Sequence, residues 1–330
     1  MSSFRRRLMS AWKKKEYIKF EDPEVERICI ANWSSDGVGL TYEDAERVTD
    51  LGTAFKGNTS IVSFNELEYF TNVVNLNNTF VNCVSLSSIN LKNIQVIYYA
   101  FANCPNLTID VNIPNLEKIT GGFYNSGIIS VSNLGNVKIL KNISGSGIGC
   151  FQDCKNLKYA NIPNVLEISS QSFIRSSIEE IVMPNVEIIA NSVFKNTKLT
   201  GNLNLPKLKT LGYSFLNCNL IRVENLGLID TIPNESGSGY GCFSGNANLE
   251  FVNIPETVTS VGNFIRCDKL KTMIFNPINP PLMLTNRFFN TPPTELKIYV
   301  PDESVEAYKQ ADRWSQYADR IKPLSEYVES

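Results

Sequence analysis

Histidine is the side chain best suited to moving protons or holding metals near neutral pH, and this sequence has none. Ser-His and Cys-His nucleophile pairs are therefore excluded, as is any metal site that depends on imidazole. Thiols and carboxylates remain. The cysteines are Cys29, Cys83, Cys104, Cys150, Cys154, Cys218, Cys242 and Cys267, and Cys150 and Cys154 form a C-x-x-x-C pair. No second pair joins them to complete a zinc ligand set, so neither a metal nor a cofactor is expected. The stretch Asn32-Trp-Ser-Ser-Asp36-Gly37-Val-Gly-Leu40-Thr-Tyr-Glu43-Asp44 has the Asp-Gly step and the late carboxylate of a calcium loop. Its register is off, because placing Asp36 and Gly37 at loop positions 5 and 6 leaves Asn32 and Ser34 as weak ligands and Leu40 one place late. It reads better as the link of a capping helical hairpin, with Asp22-Pro23 starting one helix and Thr41-x-x-Asp44 the next.

Charge is distributed unevenly. Lys+Arg number 31 and Asp+Glu 33, a balance that excludes nucleic-acid binding over the whole surface. Six cations, Arg5, Arg6, Arg7, Lys13, Lys14 and Lys15, precede the first acid, Glu16, with Trp12 among them. The whole chain carries -2, so the part after this basic arm carries -8. The arm is the one candidate contact for packaged nucleic acid or an acidic protein surface. Leu8-Met9-Ser10-Ala11-Trp12 is too short for a secretory core, so no signal peptide is expected. No apolar run approaches the roughly 18 residues of a membrane span.

The elements that position these groups come from a repeat. Phe-x-Asn-Cys-x-x-Leu occurs at Phe80–Leu86 and Phe101–Leu107, with Asp for Asn at Phe151–Leu157. Weaker copies start at Phe55, Phe123, Phe173, Phe194, Phe215, Phe243 and Phe264, and successive anchors lie 21, 22, 25 or 28 residues apart. Most units then carry an apolar strand, closed by proline in Ile113-Pro114, Ile162-Pro163, Met183-Pro184, Leu205-Pro206 and Ile254-Pro255. One unit cannot bury its apolar face alone, but stacked units share a continuous core. The expected fold is an α/β leucine-rich-repeat solenoid with a parallel sheet on one face and a helical cap at each end. Its expected divisions are a basic arm over 1–16, a helical cap over 17–50, the solenoid over 51–297 and a C-terminal cap over 298–330. Cys83, Cys104, Cys154, Cys218 and Cys267 each fall three residues after an anchor, which reads as a reduced, buried turn position. The Asn or Asp two residues after the anchor is expected to satisfy turn backbone groups.

On these Phe-x-Asn-Cys-x-x-Leu units and proline-closed strands, the chain resembles the BspA-like leucine-rich-repeat family of gut anaerobes and of the phages that infect them. The stretch Ile298–Tyr308 followed by Trp314–Ile321 is similar to the cap that closes such arrays, and Tyr17–Phe70 to the head of the phage-encoded versions. The resemblance implies a binding or adhesion module and supplies no catalytic residues.

The surface expectations follow. Both 28-residue spacings contain a Ser/Gly insertion, Ser144-Gly-Ser146-Gly147-Ile-Gly-Cys-Phe151 and Ser236-Gly-Ser238-Gly239-Tyr240-Gly-Cys-Phe243, which reads as a flexible rim projection. Eight residues beyond each of these anchors stands an aromatic, Tyr159 and Phe251, at an outward strand position, with Asn161 and Asn253 beside them. Such a face could stack on and hydrogen-bond a host-surface glycan or protein. A glycan-degrading enzyme would need carboxylates about 5 to 9.5 Å apart. Glu180 and Glu224, the outward acids besides Asp110, are two repeats apart, or roughly 10 Å at about 4.8 Å per strand. The expectation is therefore a non-enzymatic component of a phage virion, assembled in the host cytoplasm. A bacterial cell-surface adhesin is the alternative.

Overall fold

The computed structural model describes residues 15–329. Its axis is a column of phenylalanines. Phe55, Phe80, Phe101, Phe123, Phe151, Phe173, Phe194, Phe215, Phe243 and Phe264 are all fully buried. Consecutive ring centroids lie 5.1–5.9 Å apart with planes tilted by 3–27°. This is offset stacking at nearly the strand spacing, so each coil adds one ring to the column.

The turn that aims each ring inward needs a left-handed backbone two residues later. Gly57, Asn82, Asn103, Asn125, Asp153, Arg175, Asn196, Asn217, Gly245 and Arg266 occupy that position, with φ between 51° and 78°. Asparagine, aspartate and glycine tolerate this region best, which accounts for their recurrence. The expected role in bonding the local turn is corrected. Asn82 and Asn103 donate their own backbone N–H groups to Ala102 and Tyr124 carbonyls of the next coil, both at 2.9 Å. Their side chains bond each other, Asn103 donating to Asn82, Asn125 to Asn103 and Asn217 to Asn196, each at 2.9 Å. Where Asp153 and Arg175 take the two places, an ion pair at 2.6 Å continues the ladder.

Each coil runs through two rows of strands, every pair parallel within the rows. In the first row, Ser63–Phe64 pairs with Ser88–Ile89. A four-stranded sheet follows, of Asp110–Asn112, Ser130–Asn133, Tyr159–Asn161 and Glu180–Val182. The row ends in a six-stranded sheet of Thr200–Asn204, Asn219–Asn225, Phe251–Ile254, Thr272–Phe275, Lys297–Val300 and Ile321–Pro323. The second row, beyond the one sheet expected from sequence, holds a seven-stranded sheet from Asn75–Asn77 to Thr210–Leu211 and a three-stranded sheet from Thr231–Ile232 to Leu282–Met283. Its signal is an apolar pair three residues apart, as in Ile94 and Ile97, Leu116 and Ile119, or Val186 and Ile189, all buried. Between the rows the chain turns at Pro-Asn steps. Asn115, Asn164 and Asn185 donate side-chain N–H to Lys92, Gly135 and Pro163 carbonyls of the preceding coil at 2.7–2.8 Å.

The first row is interrupted between Glu180–Val182 and Thr200–Asn204, although the phenylalanine column and the second row pass through unbroken. Six residues lead from Ile178 to Pro184 but seven from Leu199 to Pro206, and Gly201 takes up the extra one at φ +81°. Thr200 N–H still reaches Glu179 O at 3.1 Å. Beyond that bond the strands part around an opening lined by Ile181, Val182, Leu203 and Asn204.

Aromatic plugs close both ends. At the N-terminal end helix α1 (Pro23–Trp33) lays Trp33 against Phe55 and Phe70, at 6.2 and 6.0 Å. Helix α2 (Tyr42–Arg47) begins with a Thr41/Asp44 capping box, as the sequence suggests. At the other end Trp314, beyond helix α3 (Val305–Gln310), meets Phe275 at 4.8 Å and donates Nε1–H to Pro281 O at 2.8 Å. Asp22 ties the first cap to the array. One carboxylate oxygen accepts from Glu24 and Val25 N–H at the start of α1, and the other from Val62 and Ser63 N–H at the first repeat. Burial raises its pKa, but these backbone donors outweigh burial and hold it below the ordinary carboxylate value.

Two outcomes follow. Phe151→Ala should cost about 3–5 kcal/mol in urea unfolding, the usual loss for an emptied aromatic core site. Asp22→Asn should keep a capped helix yet cost about 1–3 kcal/mol at pH 7, because charged hydrogen bonds are lost. The folded pKa of Asp22 is depressed, so its contribution is complete above the unfolded value of about 3.9 and vanishes as pH falls through the folded one. The stability of the variant, measured between about pH 5 and 2, should therefore decline less steeply than that of the parent.

Candidate binding surface

The outward side chains of the first row form the candidate surface. Tyr159 is half-buried, in register with Ser130 on one side and Glu180 on the other. Its neighbour Asn161 donates Nδ2–H to Ser132 O of the preceding coil at 3.4 Å. Asn253 does the same to Glu224 O at 3.2 Å and accepts from Asn276 at 2.7 Å. Both amides thus bind coil to coil, each through one side-chain N–H. Phe251 departs from expectation. It lies on the outward side, yet only 8% of it is exposed. The Arg222 guanidinium sits 4.1 Å over its ring, and Tyr327, from the C-terminal end, packs at 6.3 Å. Arg222 is the register partner on the preceding coil, but Tyr327 is 76 positions downstream, too far for any repeat-based reading to foresee.

The Ser/Gly insertions are closed turns, correcting the expectation of flexible projections. Ile143 N–H donates to Ile148 O at 2.8 Å, and the matching Glu235 N–H donates to Tyr240 O at 2.7 Å. Ser146 and Ser238 hydroxyls accept from Ile148 and Tyr240 N–H inside their turns. Gly147 and Gly239 take nearly the same left-handed φ, +71° and +72°. Gly149 and Gly241 are required for another reason: a Cβ would fall 2.2 Å from Gln171 O and 1.9 Å from Asn263 O of the next coil. The second turn is also anchored by a Glu235–Lys195 ion pair. Burial raises the Glu235 pKa, but Lys195 and Ser238 outweigh it and hold the carboxyl below its ordinary value. Arg266 lies 5.6 Å from the Tyr240 ring.

Of the arm, Arg5, Arg6, Arg7, Trp12, Lys13 and Lys14 lie outside the described residues. Lys15 is ion-paired with Asp36. Asp36 also accepts from Tyr17 hydroxyl and Val38 N–H, both at 2.9 Å, so its oxygens are used in closing the hairpin loop. Among the described residues no group of three or more Cys, Asp or Glu is placed to hold a metal ion.

The outward acids are dispersed. Glu180 stands on the last strand of the four-stranded sheet, while Glu224 lies across the interruption in the six-stranded one. Glu224 accepts from Asn202 at 2.9 Å and Arg222 at 3.1 Å. Asp110 accepts from the Ser130 and Ser132 hydroxyls. No helix of the described residues is long and apolar enough to cross a membrane.

The thiols have a structural task. Cys83, Cys104, Cys154, Cys218 and Cys267 donate S–H to the carbonyls of Phe55, Phe80, Phe123, Phe194 and Phe243, the anchors one coil back, at 3.0–3.3 Å. Asn246 substitutes for cysteine in its coil, donating Nδ2–H to Phe215 O at 2.8 Å. All eight cysteines are free and buried. Burial pushes the Cys83 thiol up to about 11 and those of Cys104, Cys150, Cys154, Cys218, Cys242 and Cys267 up to about 12. Ellman's reagent should therefore count eight thiols in denaturant without reductant, and almost none in the native protein until it unfolds. Four or fewer in denaturant would contradict the reduced state.

Comparison with known proteins bears on the repeat. No curated protein matches the sequence. Among solved structures, a leucine-rich repeat protein from Bacteroides ovatus is 17% identical at a TM-score of 0.40, covering 82% of this chain and 86% of that one. A leucine rich cell surface protein from Faecalibacterium prausnitzii is 14% identical at 0.30, covering 84% and 82%. An internalin from Listeria monocytogenes is 11% identical at 0.17, covering 94% and 96%. The BspA type leucine rich repeat region matches in overlapping stretches, 51–133, 75–200, 118–238 and 166–292. These stretches run from the first anchored coil to the last, and the chain belongs to the BspA-type leucine-rich-repeat family.

Proposed function

We propose that this chain is a non-enzymatic binding module of a phage particle, which contacts a host-surface protein or glycan through the outward side of its first strand row and attaches through its basic arm. The observation that carries the reading is the segregation of charge, with Arg5, Arg6, Arg7, Lys13, Lys14 and Lys15 ahead of a remainder that carries -8. Clustered cations of this kind gain from counterion release on an acidic partner surface or on packaged nucleic acid. The contact surface is supported by its composition: Asp110, Asn112, Asn202 and Asn204 point outward and exposed, with half-buried Tyr159 among them. Assembly would take place in the host cytoplasm. A bacterial cell-surface adhesin is the second reading, favoured by family membership.

Mass spectrometry and electron microscopy of purified particles separate the two. The phage reading expects the protein in particles, and its recovery only from a bacterial surface fraction would overturn that reading. Deleting residues 1–15 should abolish incorporation while the solenoid still folds, since every anchor phenylalanine lies beyond the deletion. Raising salt well above physiological strength should weaken attachment, because exposed charges are screened beyond about 8 Å already at that strength. Normal incorporation of the truncated chain would remove the arm from the attachment site.

A further inference from the structure

The outward side of the six-stranded sheet carries a feature that the rest of the row lacks. Phe251, Ile274 and Tyr299 form an apolar cluster of their own, separate from the main core and 7–8% exposed. Corresponding outward places further back in the row hold Asp110, Asn112, Ser130 and Ser132. Left open, the cluster would be an exposed aromatic patch of the kind that marks an interaction site.

The chain covers it itself. Strand Ile321–Pro323 pairs with Ile298–Val300 as the last strand of the sheet. Pro323 is followed by a short 3-10 turn, Leu324–Glu326, that sends the chain back over the outer face. Ser325 N–H donates to Asp302 at 3.0 Å. Leu324 and Tyr327 pack on the cluster, the Tyr327 ring lying 5.2 Å from Tyr299 and 6.3 Å from Phe251. Glu329 reaches Arg222, the cation already stacked on Phe251, at 3.6 Å. The seated segment thus presents an apolar residue, an aromatic three positions on and an acid two positions after that, each to a matching group. Its hold is slight: Leu324 and Tyr327 are only half-buried, Val328 is 81% exposed and Glu329 largely so. Segments held by so few buried contacts open at low cost.

We propose that Phe251, Ile274, Tyr299 and Arg222 form a peptide-docking site, which Leu324–Glu329 fills in cis and an extended partner peptide of the same apolar, aromatic and acidic spacing takes when that segment is displaced. The proposal rests on the reading of the first row as a contact surface, and it names the partner class of that surface as peptide.

The test uses the chain truncated after Pro323 and a fluorescent peptide of the sequence Lys322–Ser330. The truncated chain should keep the parental circular dichroism and bind the peptide saturably at up to roughly millimolar concentration, the effective concentration a short tether supplies. Tyr327→Ala in the peptide should weaken binding at least about tenfold, as should offering the parental peptide to the full-length chain, whose site is filled. If the truncated chain does not fold, full-length Y327A takes its place and should bind the parental peptide better than the unaltered chain does. Absence of saturable binding, equal binding by the truncated and full-length chains, or binding of oligosaccharides but not the peptide would overturn the proposal. Peptide binding by a chain that attaches to neither particles nor cells would leave this site standing and remove the broader reading.

Discussion

One ring per coil, stacked at 5.1–5.9 Å, is the constraint on which the other features of the array depend. To return a phenylalanine to the axis every turn, the backbone must pass through the left-handed region at one fixed place, which favours Asn, Asp or Gly there, with Arg175 and Arg266 as the exceptions. To close that turn against the coil before it, the residue that follows is kept small and polar: Cys in five coils and Asn246 in another donate to the anchor carbonyl one coil back, and Ser126, Ser176, Thr197 and Asn58 take the place in the rest. Extra residues are admitted only where they leave the column alone. The two Ser/Gly insertions satisfy this, since Phe123 and Phe151 remain 5.8 Å apart and Phe215 and Phe243 5.5 Å.

The sequence discloses what is periodic. The anchors, the proline-closed strands and the buried thiols are legible because each recurs, and chance rarely places five cysteines at one offset from a phenylalanine. The second strand row is equally periodic, but a buried pair three residues apart, such as Leu116 and Ile119, lacks the alternation that marks a strand. What occurs once is hidden. Nothing near Phe251 announces that Tyr327 will lie against it, and nothing in Ser-Gly-Ser-Gly distinguishes a closed turn from a loose one until Gly149 meets Gln171 O. The side of each strand that faces outward is therefore legible in the sequence, while the availability of individual groups depends on tertiary contacts.

The same distinction applies to polar residues. Asn161, Asn253 and the asparagine ladder resemble a ligand-binding row when read as side chains on a strand. In the folded chain their amides replace the water that the backbone and side-chain groups of neighbouring coils would otherwise need. A buried or half-buried amide that satisfies its neighbour stabilises by about 1 kcal/mol, and many such contributions accumulate along a repeat. Recurrent polarity in a solenoid is thus a sign of stacking before it is a sign of binding. The unrepeated groups, Tyr159, Arg222 and Tyr240, distinguish one region of the surface from another.

The break in the first row between Glu180–Val182 and Thr200–Asn204 gives the array an uneven elasticity. Along most of the array a bending load is shared between ladders of backbone hydrogen bonds on two faces, the other gaps lying between Ser88–Ile89 and Asp110–Asn112 in the first row and between Thr210–Leu211 and Thr231–Ile232 in the second. At this junction one face has parted and the load falls on the aromatic column and the second row, whose partners Ile188 and Thr210 remain paired. Stacked rings can slide where hydrogen bonds must break, so curvature imposed from outside concentrates at such gaps. The solenoid is thus stiff in stretches and compliant between them, with Gly201 at the open edge of one such joint.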